Sequence, residues 1–309
     1  MDKIICTAYG NSKENKGIAI IEKEVSYLPQ EGKCNFCIEK DDVLYVPVAE
    51  KENVIKEYRL HEGKYVLSGS YPVSHFYSHG VFYDGLLILA SFSDGVDAIY
   101  DIEKHCETDV YIHSRRSSQE SGRSHYVGVT PDDKYVYAVD NGLQQIYLYS
   151  VEDKRFKLIS LREFSHENIR LMPYSSYSGC AYLNTEKTNR IYALKYEDGR
   201  FHIRSIEKME ASENCFSGGN GISENGERLC VSLRGDDYLN YYRINKDGTL
   251  DLLSRIRCKV MPRDVLFKKN KVYVTCTNSD VIEVYDTKND LLNKINEISI
   301  VQPVTFAAA

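Results

Sequence analysis

The sequence predicts an all-β protein, a seven-bladed β-propeller of four-stranded antiparallel blades around a central channel. Three observations carry this: a strand-and-turn unit recurs seven times, its strands alternate with period two, and its links are rich in Asp, Asn and Gly. The clearest unit spans Asp132 to Ile159. It reads Tyr135-Val136-Tyr137-Ala138-Val139-Asp140, the polar link Asn141-Gly142-Leu143-Gln144-Gln145, then Ile146-Tyr147-Leu148-Tyr149-Ser150, and finally Lys157-Leu158-Ile159. The same grammar returns at Leu229-Cys230-Val231-Ser232-Leu233 with Tyr238-Leu239-Asn240-Tyr241-Tyr242, and at Lys271-Val272-Tyr273-Val274-Thr275-Cys276 with Val281-Ile282-Glu283-Val284-Tyr285. Weaker copies centre on Leu44-Tyr45-Val46, Leu87-Ile88-Leu89-Ala90 and Cys180-Ala181-Tyr182-Leu183, and another runs from Ile4-Ile5-Cys6 to Ile21.

Taking the second strand of each unit at Cys6, Tyr45, Leu89, Tyr137, Tyr182, Cys230 and Tyr273 gives spacings of 39 to 48 residues, the range of a propeller blade. Helical solenoids of similar period lack the two-residue alternation. One blade cannot bury both of its faces, whereas a ring covers each face with a neighbour. The segment Ile298–Val304 is therefore expected to return to the first blade and close the ring, and residues 1–309 are expected to form a single domain.

Composition agrees with a sheet protein. The chain has 309 residues, 25 of them Tyr and none Trp, and the tyrosines fall mostly inside short β-branched runs. A net charge of -6, from 39 basic and 45 acidic side chains, gives no reason to expect a nucleic-acid or membrane partner. The first residues, Met1-Asp2-Lys3-Ile4-Ile5-Cys6-Thr7, lack a signal-peptide pattern, and no segment is apolar for long enough to span a membrane. A cytoplasmic location is expected. Nine scattered cysteines read as reduced and structural. Cys34 and Cys37 have CxxC spacing but neither a second pair nor a nearby His, so neither metal nor any other cofactor is expected. No phosphate-binding glycine loop and no Gly-x-Ser-x-Gly elbow is present.

The run Gln119-Glu120-Ser121-Gly122-Arg123-Ser124-His125-Tyr126-Val127-Gly128-Val129-Thr130-Pro131-Asp132-Asp133-Lys134 resembles the Gln-Glu, His-x-His-x-Val and Thr-Pro-Asp-Gly-Lys stretch of the seven-bladed propeller lactonases. That family includes bacterial 6-phosphogluconolactonase and the fungal carboxymuconate-lactonizing enzyme. Further similar pieces are Ser78-His79-Gly80 with Ala90-Ser91-Phe92-Ser93-Asp94-Gly95, Asp140 with Gly142, Ser232-Leu233-Arg234-Gly235, and Pro262-Arg263-Asp264. The resemblance covers nearly the whole chain and implies a site at the channel mouth built from a His, two Arg and a Glu. His125 and Arg234 match two of these positions. In blade five the family reads Pro-Arg-His and Asn-Glu-Leu, where this chain reads His166-Glu167-Asn168 and Asn184-Thr185-Glu186. Arg170 and Glu186 are the nearest candidates, three and one residues beyond the expected places. Arg123 stands where many relatives carry the first His of the pair.

The chemistry implied is hydrolysis of a sugar lactone. A His suits water activation because its unperturbed pKa lies near 6.5, and an Arg suits a developing oxyanion because it stays charged. His125 is thus expected to act as base and Arg234 as oxyanion stabiliser. A phosphorylated lactone would need further cations, for which Arg115, Arg116, Arg123 and Arg263 are candidates, with His79 and Glu120 as further substrate contacts. The competing readings are a propeller repurposed to bind a small molecule or protein at the same mouth, and a muconate-type cycloisomerase. In the plainest structural reading, His125 merely caps a strand and Arg234 pairs with Asp236 or Asp237.

Overall fold

The computed structural model describes residues 3–114 and 121–308. They form seven four-stranded antiparallel sheets. Every residue predicted as the centre of a second strand occupies that position, from Cys6 in Ile4–Ala8 to Tyr273 in Lys271–Cys276. Burial explains the sequence pattern. Second and third strands such as Val136–Asp140, Leu86–Ser91 and Val96–Asp101 are buried throughout, while fourth strands such as Arg155–Glu163 alternate exposed and half-buried positions on the rim.

The abundant tyrosines fill the space between blades and keep their hydroxyls paired. Tyr137 of blade four donates to the Met172 carbonyl at 2.8 Å, ahead of blade five, and Tyr182 of blade five donates to Ser178 at 3.1 Å. Backbones also approach closely: a Cβ on Gly219, in the inner strand Phe216–Ile222 of blade six, would lie 2.6 Å from the Asp264 Cα of blade seven. The glycine lets the two inner strands meet.

Ring closure occurs as expected but slightly later in the chain. Ile298 and Ser299 belong to the outer strand Asn293–Ser299 of blade seven, and the returning strand is Pro303–Phe306. It pairs with Ile4–Ala8 through Cys6↔Phe306 and Ala8↔Pro303. Thr275 and Thr277 of blade seven donate to the Val304 and Pro303 carbonyls at 3.0 and 2.6 Å, so the strand is held by both neighbours.

Between blades three and four lies a buried ionic brace. His113 meets Asp140 through Nδ1 at 2.6 Å and Asp97 through Nε2 at 2.7 Å. Tyr149 donates to the same Asp97 oxygen at 3.0 Å, and Ser124 donates to the other at 2.6 Å. Burial alone would lower the His113 pKa, but the two carboxylates overcome it and raise the group to about 9.

Candidate active site

The channel mouth is shaped by β-bulges in the inner strands. In blade four, Ser124 pairs with Asp140 and Tyr126 with Val139, leaving His125 as the extra residue. Blade seven repeats the device, with Arg263 unpaired between Pro262↔Cys276 and Asp264↔Thr275. In blade six the register slips across Gly218 and Gly219, and in blade one across Val304 and Thr305. A bulge releases one side chain from the pleat and re-aims it. Accordingly His125, Arg263 and Thr305 line one cavity of about 290 Å³, together with His79, Phe92, Arg170, Glu186, Arg234 and Asp264.

The displaced pair from blade five reaches this cavity. Arg170 lies ahead of the inner strand Tyr174–Ser175, and its amide donates to the Asn184 carbonyl at 2.9 Å. Glu186 follows the second strand Cys180–Asn184, and its amide donates to the Asn168 carbonyl at 2.8 Å. These crossing bonds carry both side chains to the mouth despite their offset in sequence. Glu186 Oε1 accepts from Arg170 Nη1 and, at 2.7 Å, from Arg234 Nη2, whose guanidinium also donates to the Ser217 carbonyl at 3.0 Å. Arg234 is therefore bound to Glu186. Asp236 is taken by Ser212, and Asp237 holds the Met261 amide.

Three guanidiniums, of Arg170, Arg234 and Arg263, thus share the cavity with two carboxylates. Burial alone would raise the Glu186 pKa, but Arg170 and Arg234 hold it below the usual range. Burial and the neighbouring Arg234 lower Arg170 to about 10, which leaves it charged at neutral pH. The buried Nε atoms of Arg170 and Arg234 have no hydrogen-bond partner among the described residues. Arg263 makes no ion pair among them either; its guanidinium lies 5.5 Å from the Tyr9 ring. Such a site favours an anion, or an oxygen acquiring negative charge.

Both histidines are neutral. Burial, then Arg170, His79 and Arg234, push His125 well below its ordinary pKa, and its buried Nδ1 has no partner among the described residues. Its ring meets Phe92 edge-on at 5.2 Å. Burial lowers His79 to about 3, and the Val127 amide donates to its Nδ1 at 3.2 Å, so its proton sits on Nε2. Asp264 stands apart. Its oxygens accept from the Val265 and Phe306 amides at 2.9 and 2.8 Å, yet burial raises its pKa to about 6.

Arg123 is exposed, and its guanidinium lies 5.7 Å above the Phe92 ring, at the rim of the cavity and not in its lining. Arg115, Arg116 and Glu120 lie outside the described residues. Asp264, Phe92 and Thr305 were not singled out as site residues from sequence. The bulge-prone inner strand was the signal available for Asp264 and Thr305, since each adjoins or occupies an irregular register. Among the described residues no cluster of three His, Cys, Asp or Glu side chains could hold a metal ion, and burial pushes the Cys34 thiol up to about 12 and that of Cys37 well above its ordinary value. Among the described residues no helix is long and apolar enough to cross a membrane.

Residues 23–307 match the family model described as Lactonase, 7-bladed beta-propeller. The 6-phosphogluconolactonase of Bacillus subtilis is 28% identical over 173 residues, 52% of this chain and 49% of that protein. An uncharacterized Staphylococcus saprophyticus protein is 29% identical over 170 residues, with the same shares of 52% and 49%. The match thus spans about half the length of these curated relatives. Two solved structures are alike in fold over the full ring. A Lactobacillus plantarum protein superposes with a TM-score of 0.87 at 21% identity, covering 99% of this chain and 98% of that one. The periplasmic gluconolactonase of Pseudomonas aeruginosa gives 0.85 at 18%, covering 98% of each.

Proposed function

The chain belongs to the seven-bladed β-propeller lactonase family, and from that membership we propose that it hydrolyses a sugar lactone, in the manner of a 6-phosphogluconolactonase. The observation that carries this reading is the Arg170–Glu186–Arg234 bridge beside the neutral His125. Water attacks the lactone carbonyl while the His125 imidazole takes its proton. The carbonyl oxygen gains negative charge facing Arg234 and Arg170, whose geometry Glu186 holds fixed. The low proton affinity of His125 in the empty site rises as substrate charge offsets the two guanidiniums.

Arg263 is the cation we assign to a substrate phosphate or carboxylate, with Arg123 at the rim and His79 Nε2–H as a donor to sugar oxygens. Phe92 offers an apolar face beside His125. The nine free thiols accord with a reducing, cytoplasmic compartment. The binding-only alternative drew its force from the offset of Arg170 and Glu186, and both reach the cavity.

The test is NMR-followed opening of freshly prepared δ-aldonolactones, with and without a 6-phosphate, against a protein-free blank. Turnover above spontaneous opening is expected, with lower KM for the phosphorylated form. Rates equal to the blank for the whole panel would overturn the reading.

A further inference from the structure

Lactone hydrolysis needs two proton transfers: one away from water, and one onto the ring oxygen as its bond to the carbonyl carbon breaks. The first has an acceptor in His125. An alkoxide is a poor leaving group, so the second needs an acid within the same cavity. The proton taken up by His125, on blade four, is one source; of the other groups, Glu186 is held ionised by two guanidiniums and His79 is neutral.

We propose that Asp264 is a further catalytic residue, the carboxylic acid that protonates the departing ring oxygen. This rests on the lactonase reading above. Asp264 lines the cavity on the blade-seven side, while His125 enters from blade four. Among the described residues its carboxyl makes no ion pair: each oxygen accepts one backbone amide, Val265 on its own strand and Phe306 on the closing strand, and its own amide donates to Thr275 Oγ1 at 2.9 Å. Each carboxyl oxygen has two lone pairs, so these bonds leave capacity toward the cavity.

The electrostatics support this division of labour. Two titratable groups in one site, one pushed down and one pushed up, are the pattern of a base and an acid held ready together. Burial raises Asp264, and the charges that oppose it are Arg170 from the blade-five connection and Arg263 on its own strand. Around the cavity stand also Arg234 and Glu186, paired to each other, and the neutral His79 and His125. The thiol of Cys6, on the strand next to Phe306, is kept protonated by burial.

The step balances. Water's oxygen bonds to the carbonyl carbon, its proton passes to His125, and the carbonyl π pair moves onto oxygen. The oxyanion then re-forms the double bond, the carbon–ring-oxygen bond breaks, and the Asp264 proton moves to that oxygen. His125 afterwards releases a proton and Asp264 regains one, so the net change is addition of one water.

The experiment is the pH dependence of turnover for wild type and Asp264→Asn, on an aldonolactone and on a thiolactone. A thiolate leaves without needing a proton. For the wild type, kcat/KM on the oxygen lactone should fall as pH rises through about 6. The kcat limb should lie at higher pH, because a bound anion offsets Arg170 and Arg263. Asp264→Asn should lower kcat on the oxygen lactone about 10²-fold or more, abolish that limb, and cost under about tenfold on the thiolactone. Equal losses on both substrates, or an unchanged limb, would overturn the proposal and leave Asp264 as the clip on Phe306. Should the variant fold poorly, a wild-type profile without a limb near pH 6 does the same. A wild type that opens no lactone sinks the lactonase reading itself.

Discussion

Two histidines at the first strand of blade four, His113 before it and His125 within it, experience opposite fates. His113 sits between Asp97 and Asp140 with both ring nitrogens engaged, and its pKa is raised to about 9. His125 faces two guanidiniums with an unpartnered Nδ1, and its pKa is driven well below the ordinary value. Satisfied charge braces the ring, whereas unsatisfied charge leaves a group able to bind or react. Each polar group in the brace finds a partner inside the protein, whereas beside the cavity His125 Nδ1 and the Nε atoms of Arg170 and Arg234 find none among the described residues.

The largest effect expected from this contrast is on stability. His113→Ala leaves Asp97 and Asp140 buried without their cation and should cost about 3 to 5 kcal/mol by denaturant titration, while activity per folded molecule is retained. Because the folded pKa lies above the unfolded one, the brace contributes fully below about pH 6.5 and is lost as pH rises through about 9. Wild-type stability should therefore fall by about 3 kcal/mol across that window, and the variant should show a correspondingly flatter dependence. If both proteins lose stability in parallel, His113 is not the group that titrates.

The converse substitution belongs at the mouth. Arg234→Ala should lower kcat on a lactone about 10²- to 10³-fold with a change in melting temperature far smaller than that of His113→Ala, since it removes a donor aimed at developing charge. Equal losses of stability from the two variants would erase the distinction drawn here. The smallest effect is set by the rim. Lys157 meets Glu152 at 3.4 Å with both side chains largely in water, and Lys157→Ala should change stability by less than about 0.5 kcal/mol.

The seven blades were legible because each unit repeats an apolar second strand, buried at its centre, between polar turns, and each second strand fell where Cys6, Tyr45 and their counterparts placed it. The closing strand was legible in kind but not in position. The run Ile298–Val304 merges the end of one strand with the start of another, and the pairings Cys6↔Phe306 and Ala8↔Pro303 separate them. At the mouth, His125 and Arg234 could be read from matched order. Arg170 and Glu186 resisted because counting along a strand predicts a reversal of face for a one-residue offset, and both lie beyond the ends of their strands, where the crossing bonds to Asn184 and Asn168 set direction instead. Asp264 was hidden for another reason. Nothing in Pro262-Arg263-Asp264 states that the carboxyl will accept the amide of Phe306, a residue 42 positions away.

The bulges have a consequence for how such a ring diversifies. A regular strand ties each side chain to the alternation of its neighbours, so altering one position disturbs a blade interface. At His125 and Arg263 the register has been released, and the residue there stands outside the pairing that fixes its neighbours. The mouth therefore behaves as a set of sockets on a fixed frame, where chemistry can be exchanged one residue at a time while the blades beneath stay the same.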